Sequence, residues 1–212
     1  MEQNEALTLF RRAGALLEGH FRLSSGLHST GYVQSALVLQ HPSDAALLGS
    51  AIADRVRHLG PAVVVSPALG GLIIGHEVAR ALGVRAIFAE RAERAERAER
   101  AGRAERAERA DPAGGTTLSL RRGFALAPGE KVLVVEDVFT TGKSTRETMD
   151  IAREAGADVV GTAAIVDRSG GTLDFGVPYK AVIELSLPTY DPEKCPLCAQ
   201  GVPVVKPGSR PT

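Results

Sequence analysis

The chain has 212 residues, 44% of them hydrophobic but only 4% aromatic, and no tryptophan. That leaves room for one full-sized domain and a small subdomain around an aliphatic core. Twenty-five basic residues balance twenty-five acidic ones, so the clustered surplus of cations needed for phosphate-backbone binding is lacking, and no apolar run is long enough for a membrane span. The opening Met1-Glu2-Gln3-Asn4-Glu5 has no signal-peptide core, and a cytoplasmic protein is expected.

Apolar positions at Leu7, Phe10, Ala13, Gly14 and Leu17 predict a helix over 4–18. Short strands are expected at 20–23 and 32–35 around the turn Ser24-Ser25-Gly26, and with the helix they make a small subdomain over 1–40. Ser43 is placed to cap a helix carrying Leu48, Ile52, Val56 and Leu59, which Gly60-Pro61 ends. Strand and helix then alternate, with strands at 63–65, 85–89, 131–135, 159–166 and 181–187 and helices up to Ala81 and over 145–155. Continuous β-branched runs between helices mark strands covered on both faces. An α/β fold with a central parallel sheet flanked by helices is therefore predicted over 41–190, followed by a tail over 191–212. Ligands in such sheets bind at the carboxyl ends of strands. That singles out the loops 67–71, 90–116, 136–144 and 167–171.

One of these loops is unusual. Residues 90–110 repeat Glu-Arg-Ala with a single interruption at Gly102. All three residue types favour a helix, which would pair Glu90 with Arg94, Glu93 with Arg97, Glu96 with Arg100, Glu99 with Arg103 and Glu105 with Arg109. Each pair contributes about 0.3–0.5 kcal/mol, and Gly102 costs about 1 kcal/mol. Alanine every third residue drifts around the helix and forms no docking stripe. A marginal, exposed helix is predicted.

The richest segment is Val132-Leu133-Val134-Val135-Glu136-Asp137-Val138-Phe139-Thr140-Thr141-Gly142-Lys143-Ser144. A buried strand delivers two adjacent carboxylates, and a turn rich in hydroxyls then opens a helix. Free N–H groups and the positive end of a helix dipole suit a phosphate dianion. Thr140, Thr141 and Ser144 add hydroxyl donors, and Lys143 adds charge. Glu136 and Asp137 would repel that phosphate, so ribose hydroxyls or a substrate-borne metal ion are their natural partners. Ser144 and Glu147 match a capping box, yet a capped helix alone does not call for paired carboxylates at a strand end. A nucleotide-binding P-loop needs glycine where Asp137 stands, and that reading fails.

This strand and loop resemble the PRPP-binding signature of type I phosphoribosyltransferases. Three further segments narrow the resemblance to the orotate phosphoribosyltransferases. These are Phe21-Arg22-Leu23-Ser24-Ser25-Gly26 with Ser29 and Tyr32, Val166-Asp167-Arg168-Ser169-Gly170-Gly171, and Ser66-Pro67-Ala68-Leu69-Gly70-Gly71.

The resemblance implies a type I phosphoribosyltransferase fold, with an N-terminal hood over 1–40 and a PRPP-binding core over 41–190 that carries a catalytic-loop insertion at 90–116. It implies transfer of the phosphoribosyl group of PRPP to N1 of orotate through an oxocarbenium-like transition state, without a protein nucleophile, in pyrimidine biosynthesis. Glu136 and Asp137 would hold the ribose, and Val138, Phe139, Thr140, Thr141, Gly142, Lys143 and Ser144 would contact PRPP together with Ser24 and Arg91. Arg168 and Thr140 would contact orotate, the guanidinium gripping its carboxylate. Ala68, Leu69, Gly70 and Gly71 would form the pyrophosphate-side loop. Mg²⁺ would be held mainly by PRPP rather than by direct protein ligation. The enzyme would be a homodimer in which Arg91, at the start of a mobile catalytic loop, serves the neighbouring subunit's site.

Many family members carry lysines at the positions of Ser24 and Gly70, and a small residue at that of Lys143. Here Mg²⁺ and loop arginines are expected to neutralise more of the pyrophosphate. Transferases for xanthine or adenine and PRPP-sensing regulators share the fold. Arg168 and the N-terminal pattern argue against the former, and the short, weakly basic N-terminal region argues against the latter.

Cys195-Pro196-Leu197-Cys198 has the spacing of a metal knuckle, but a structural zinc site needs four ligands. Unless a dimer joins two halves or a histidine helps, the pair is expected to be unliganded thiols.

Overall fold

Valine runs at the centre of the chain form the middle of a six-stranded sheet. The computed structural model describes residues 1–23, 25–92 and 117–206. Its large sheet holds β3 (Val63–Pro67), β4 (Arg85–Ala92), β5 (Thr117–Leu120), β6 (Lys131–Phe139), β7 (Asp158–Asp167) and β8 (Tyr179–Glu184) in the order β5-β4-β3-β6-β7-β8. All neighbours are parallel except β5, which pairs antiparallel with β4 through Arg91↔Leu118.

Alternate residues of the central strands face two apolar layers. Val64, Leu133 and Val135 pack with Leu48, Ile52 and Val56 of α3 (Pro42–Val56) and with Ile74 and Val78 of α4 (Gly71–Leu82). Val63, Val65, Val132 and Val134 pack on the other face with Met149 and Ala152 of α5 (Lys143–Glu154). Each of these valines is fully buried, and such a side chain contributes about 1.5–3 kcal/mol. Covering on both faces makes the runs continuous rather than alternating.

A second, three-stranded sheet has the order β1-β2-β9, from β1 (Leu16–Arg22), β2 (His28–Val33) and β9 (Thr189–Tyr190). It joins the N-terminal hairpin to residues that follow the large sheet. The chain beyond β9 continues through α6 (Pro196–Ala199) and returns to the hairpin, where Val205 bridges Phe21. Among the described residues no helix is long and apolar enough to cross a membrane.

Several boundaries differ from the sequence expectation. The first helix, α1 (Gln3–Arg12), is shorter, because Gly14 turns the chain at φ +63° and Leu17 enters β1. Strand β2 starts earlier than expected, and Ser35 opens the short α2 (Ser35–Leu39). Helix α3 begins at Pro42 after His41 rather than being capped by Ser43, and Leu59 lies in a separate 3-10 turn. Edge strand β5 was not expected at all. Glu90 does not open a helix: it lies in β4 and pairs with Arg122 at 3.0 Å. The rest of the expected repeat helix, with its pairs from Glu93 to Arg109, lies outside the described residues.

Candidate active site

Strand order reverses between β3 and β6, since β3 leads to β4 on one side and β6 to β7 and β8 on the other. The loops leaving these two strands diverge, the place where open sheets of this kind bind ligands. The loops 67–71 and 136–144, both singled out from sequence, meet there at Gly70 and Asp137.

Glu136 and Asp137 sit near the end of β6 and have different surroundings. Glu136 is buried, its Oε2 accepting from Ser144 Oγ at 2.7 Å and its Oε1 from the Asp137 N–H at 3.2 Å. Burial, and then the neighbouring Asp137 charge, push the Glu136 carboxyl well above the usual carboxylate range. Asp137 is half-buried, and its Oδ1 accepts from the Val138 N–H at 2.9 Å. Its carboxylate faces the loop after β3. A β-carbon at Gly70 would stand 2.8 Å from Asp137 Oδ1. Ala68 and Leu69, joined by a cis peptide, precede Gly70, and Gly71 opens α4.

Phe139 is buried against Phe175 and Tyr179, so its side chain belongs to the core and only its backbone faces the loop. Thr140, Thr141 and Lys143 are exposed. Gly142 caps α5 at φ +71°, and a β-carbon there would stand 2.8 Å from Phe175 Cε1, so glycine meets both demands. The capping box does not form as read from sequence. Gly142 holds the cap, which leaves Ser144 inside the helix to donate to Glu136 instead.

β6 and β7 pair Phe139 with Asp167. The Arg168 N–H donates to the Phe139 carbonyl at 2.9 Å, which fixes Arg168 beside the loop. Asp167 and Asp174, the two possible local partners for its guanidinium, accept instead from the backbone N–H groups of Ser169 at 2.7 Å and Gly176 at 2.8 Å. Arg168 is half-buried, and its Nε is buried with no hydrogen-bond partner among the described residues. Tyr32 of β2 reaches the same place. Burial raises its phenol, the Asp137 charge raises it further, and Arg168 opposes the shift. Tyr32 of the small sheet thus lies within electrostatic reach of Asp137 and Arg168 at the carboxyl end of the large one.

Arg91, near the end of β4, makes an ion pair with Glu147 of α5 at 3.3 Å. Lys143 lies 3.9 Å from the same glutamate. Ser24 lies outside the described residues, while its neighbours Ser25 and Gly26 form the turn between β1 and β2.

Sequence reasoning did not connect the cysteine pair with two buried histidines. His20 and His28 meet Cys195 and Cys198 in one cluster away from the crevice. Histidines near both ends of a hairpin, together with a Cys-x-x-Cys, were the available signal.

Comparison with known proteins agrees with this geometry. Residues 35–189 match the model of the phosphoribosyl transferase domain. The chain is 47% identical to an orotate phosphoribosyltransferase of Pelotomaculum thermopropionicum over 99% of both chains. It is 49% identical to that of Carboxydothermus hydrogenoformans over 95% of both. The crystal structure of Mycobacterium tuberculosis orotate phosphoribosyltransferase in complex with Fe(III) dicitrate superposes with a TM-score of 0.63 at 25% identity, covering 86% of this chain and 96% of that one. With its carboxylate pair, hydroxyl-rich turn and Arg168 set at the carboxyl ends of β6 and β7, the chain belongs to the orotate phosphoribosyltransferases, the type I enzymes that transfer the 5-phosphoribosyl group of PRPP to orotate, giving orotidine 5′-phosphate and pyrophosphate.

Proposed function

We propose that Arg168 grips the orotate carboxylate, that Glu136 and Asp137 hold the ribose hydroxyls, and that residues 140–144 cradle the 5′-phosphate of PRPP. The unpaired Nε of Arg168 carries this reading. A buried donor on a cation without a partner costs free energy, and a planar carboxylate supplies the missing acceptors bidentately. Orotate offers that group; xanthine and adenine do not. Thr140, exposed on the loop beside Arg168, completes the acceptor side.

In this reading the anomeric C–O bond breaks, the electron pair leaves with pyrophosphate, and N1 of orotate gives up its proton to solvent and forms the new C–N bond. Asp137 favours the cationic transition state by its charge, while Glu136 positions Ser144 and the turn. Catalysis rests on orientation and electrostatics. Ala68, Leu69, Gly70 and Gly71 border the pyrophosphate, and Arg91 supplies charge on that side.

A magnesium ion carried by PRPP fits the crevice. Mg²⁺ prefers oxygen donors and takes one or two carboxylates besides phosphate and water, and Asp137 is a half-buried carboxylate facing the loop after β3. Asp137 would approach the ion from the protein side through water, the other ligands coming from PRPP. When bound, Mg²⁺ supplies positive charge to the leaving pyrophosphate.

A homodimer with shared sites is part of the proposal. Leu69 in the pyrophosphate-side loop is 82% exposed and Ile73 on α4 46% exposed, apolar surface that a second subunit would cover. A cytoplasmic location, where thiols stay reduced, is part of the same proposal.

The test is an assay for nucleotide formation with a panel of bases, run on the unaltered chain and on Arg168→Ala. The variant should lose about 2–4 kcal/mol of transition-state binding, mainly in kcat/KM for orotate, with PRPP binding nearly intact. Equal loss for both substrates would assign Arg168 to the fold instead.

A further inference from the structure

The strongest unassigned feature lies outside the crevice, where β1 and β2 meet the C-terminal segment. His20 of β1, His28 of β2, Cys195 just before α6 and Cys198 within it offer one ligand atom each to a common space, all within 4.8 Å of one another. His20 Nε2 lies 2.9 Å from His28 Nδ1, 3.4 Å from Cys195 Sγ and 3.8 Å from Cys198 Sγ. Cys198 Sγ lies 3.3 Å from His28 Nδ1. A tetrahedral zinc ion bound at about 2.05 Å to nitrogen and about 2.3 Å to sulfur has edges of about 3.4 Å between nitrogens and about 3.6 Å between nitrogen and sulfur. The four measured edges fall within about half an ångström of those values.

We propose that His20, His28, Cys195 and Cys198 form a structural zinc site that fastens the C-terminal segment to the N-terminal hairpin. The chemistry of the donors selects the ion. Two thiols and two imidazoles, with no carboxylate among them, suit a tetrahedral Zn²⁺ and not a hard cation such as Mg²⁺. On binding, both thiols release their protons, and two thiolates offset the charge of the ion. The closed site is then neutral, as suits a place where His20, His28 and Cys195 are each under 10% exposed.

The outer contacts also fit. His20 Nδ1 lies 2.7 Å from the Val202 carbonyl. Donating there leaves the lone pair of Nε2 directed at the cluster, the second contact that metal-binding histidines usually make. Backbone hydrogen bonds hold the same two segments in register, Val205 N–H to the His20 carbonyl and Arg22 N–H to the Val205 carbonyl, both at 2.8 Å. Four protein ligands leave no open coordination position, so the ion is structural and takes no part in phosphoribosyl transfer.

The experiment uses the full chain without a polyhistidine tag, purified from zinc-supplemented cells under reducing conditions. Elemental analysis should find about one zinc per chain, and Cys198→Ser, a change at an exposed position, should lower it at least about tenfold. Exchange of the intact chain into Co²⁺ should give a thiolate-to-cobalt charge-transfer band and intense tetrahedral d–d bands, both lost in the variant. The variant's Tm should fall by roughly 5 °C or more, and its C-terminal segment should become the first site of limited proteolysis. Its turnover at low temperature, with Mg²⁺, PRPP and orotate saturating, should stay within about twofold of the parent. A folded, reduced parent chain that carries no zinc and gives no tetrahedral cobalt spectrum overturns the proposal, and so does a native Cys195–Cys198 disulfide found by intact mass. These readouts are on the parent chain and do not depend on how the variant folds.

Discussion

The carboxylate of Asp137 rests against the bare α-carbon of Gly70, closer than any side chain at position 70 would permit. Gly70 has an ordinary helical backbone, φ −57° and ψ −44°, so conformation does not require glycine there. Space does. The loop after β3 and the end of β6 are thus fitted closely to each other at Gly70 and Asp137.

Gly70→Ala separates the two roles. The backbone accepts alanine, so Tm should hold within about 2 °C. Asp137 must swing away, and kcat/KM for PRPP should fall about tenfold, or about 1.4 kcal/mol. Unchanged kinetics would mean that the position of Asp137 is unimportant to PRPP.

Subunit mixing tests whether Arg91 serves its own site or its neighbour's. Asp137→Asn and Arg91→Ala should each be folded and strongly impaired. If the sites are shared, co-refolding equal amounts should restore about a quarter of the parent activity, because half the dimers are mixed and each has one intact site. No recovery would place Arg91 in the same chain's site, consistent with its 3.3 Å ion pair to Glu147.

Glu136 makes stability depend on pH in a stated direction. Its carboxyl is held well above the usual range by burial and by Asp137, whereas in the unfolded chain it ionises near about 4.3. The folded state therefore binds this proton more tightly. That contribution is fully present below the unfolded value and is lost as pH rises through the folded one. Relative to Glu136→Gln, the parent's Tm should decline from mildly acidic toward higher pH and then level off. Parallel Tm profiles for the two proteins would contradict the assignment.

The Glu-Arg-Ala repeat invites a deletion test. Removing whole triplets between Glu93 and Arg100 should leave kcat within about tenfold, under roughly 1.4 kcal/mol, while Arg91→Ala should cost more. The reverse outcome would put the catalytic cation inside the repeat.

What was legible in the chain follows from how local each feature is. β3, β6 and β7 announce themselves as unbroken valine-rich runs because helices cover both faces. The carboxylate pair and its hydroxyl turn are contiguous, and so readable. β5 was hidden because a four-residue antiparallel edge strand, Thr117–Leu120, carries no long apolar run. Leu17 continued a helical spacing that Gly14 interrupts. Ser144 satisfied a capping pattern, yet Gly142 in the left-handed region moved the helix start. Glu90 looked like the first residue of a repeat helix, although β4 continues through it. The zinc-type cluster was beyond local reading, because His20 and Cys195 are 175 residues apart and only the closed small sheet brings them together.

That closure sets an order of assembly. Translation makes the β1–β2 hairpin long before its third strand, β9, with Ser29 donating to a carbonyl 159 residues downstream at Pro188. At about 5–20 residues per second the interval is roughly 8–32 s. Through that time the hairpin that carries Tyr32 has no partner strand. A chain stopped before β9 holds every strand of the large sheet but lacks the third strand of the small one. For this topology the small sheet closes only after every strand of the large one has been made.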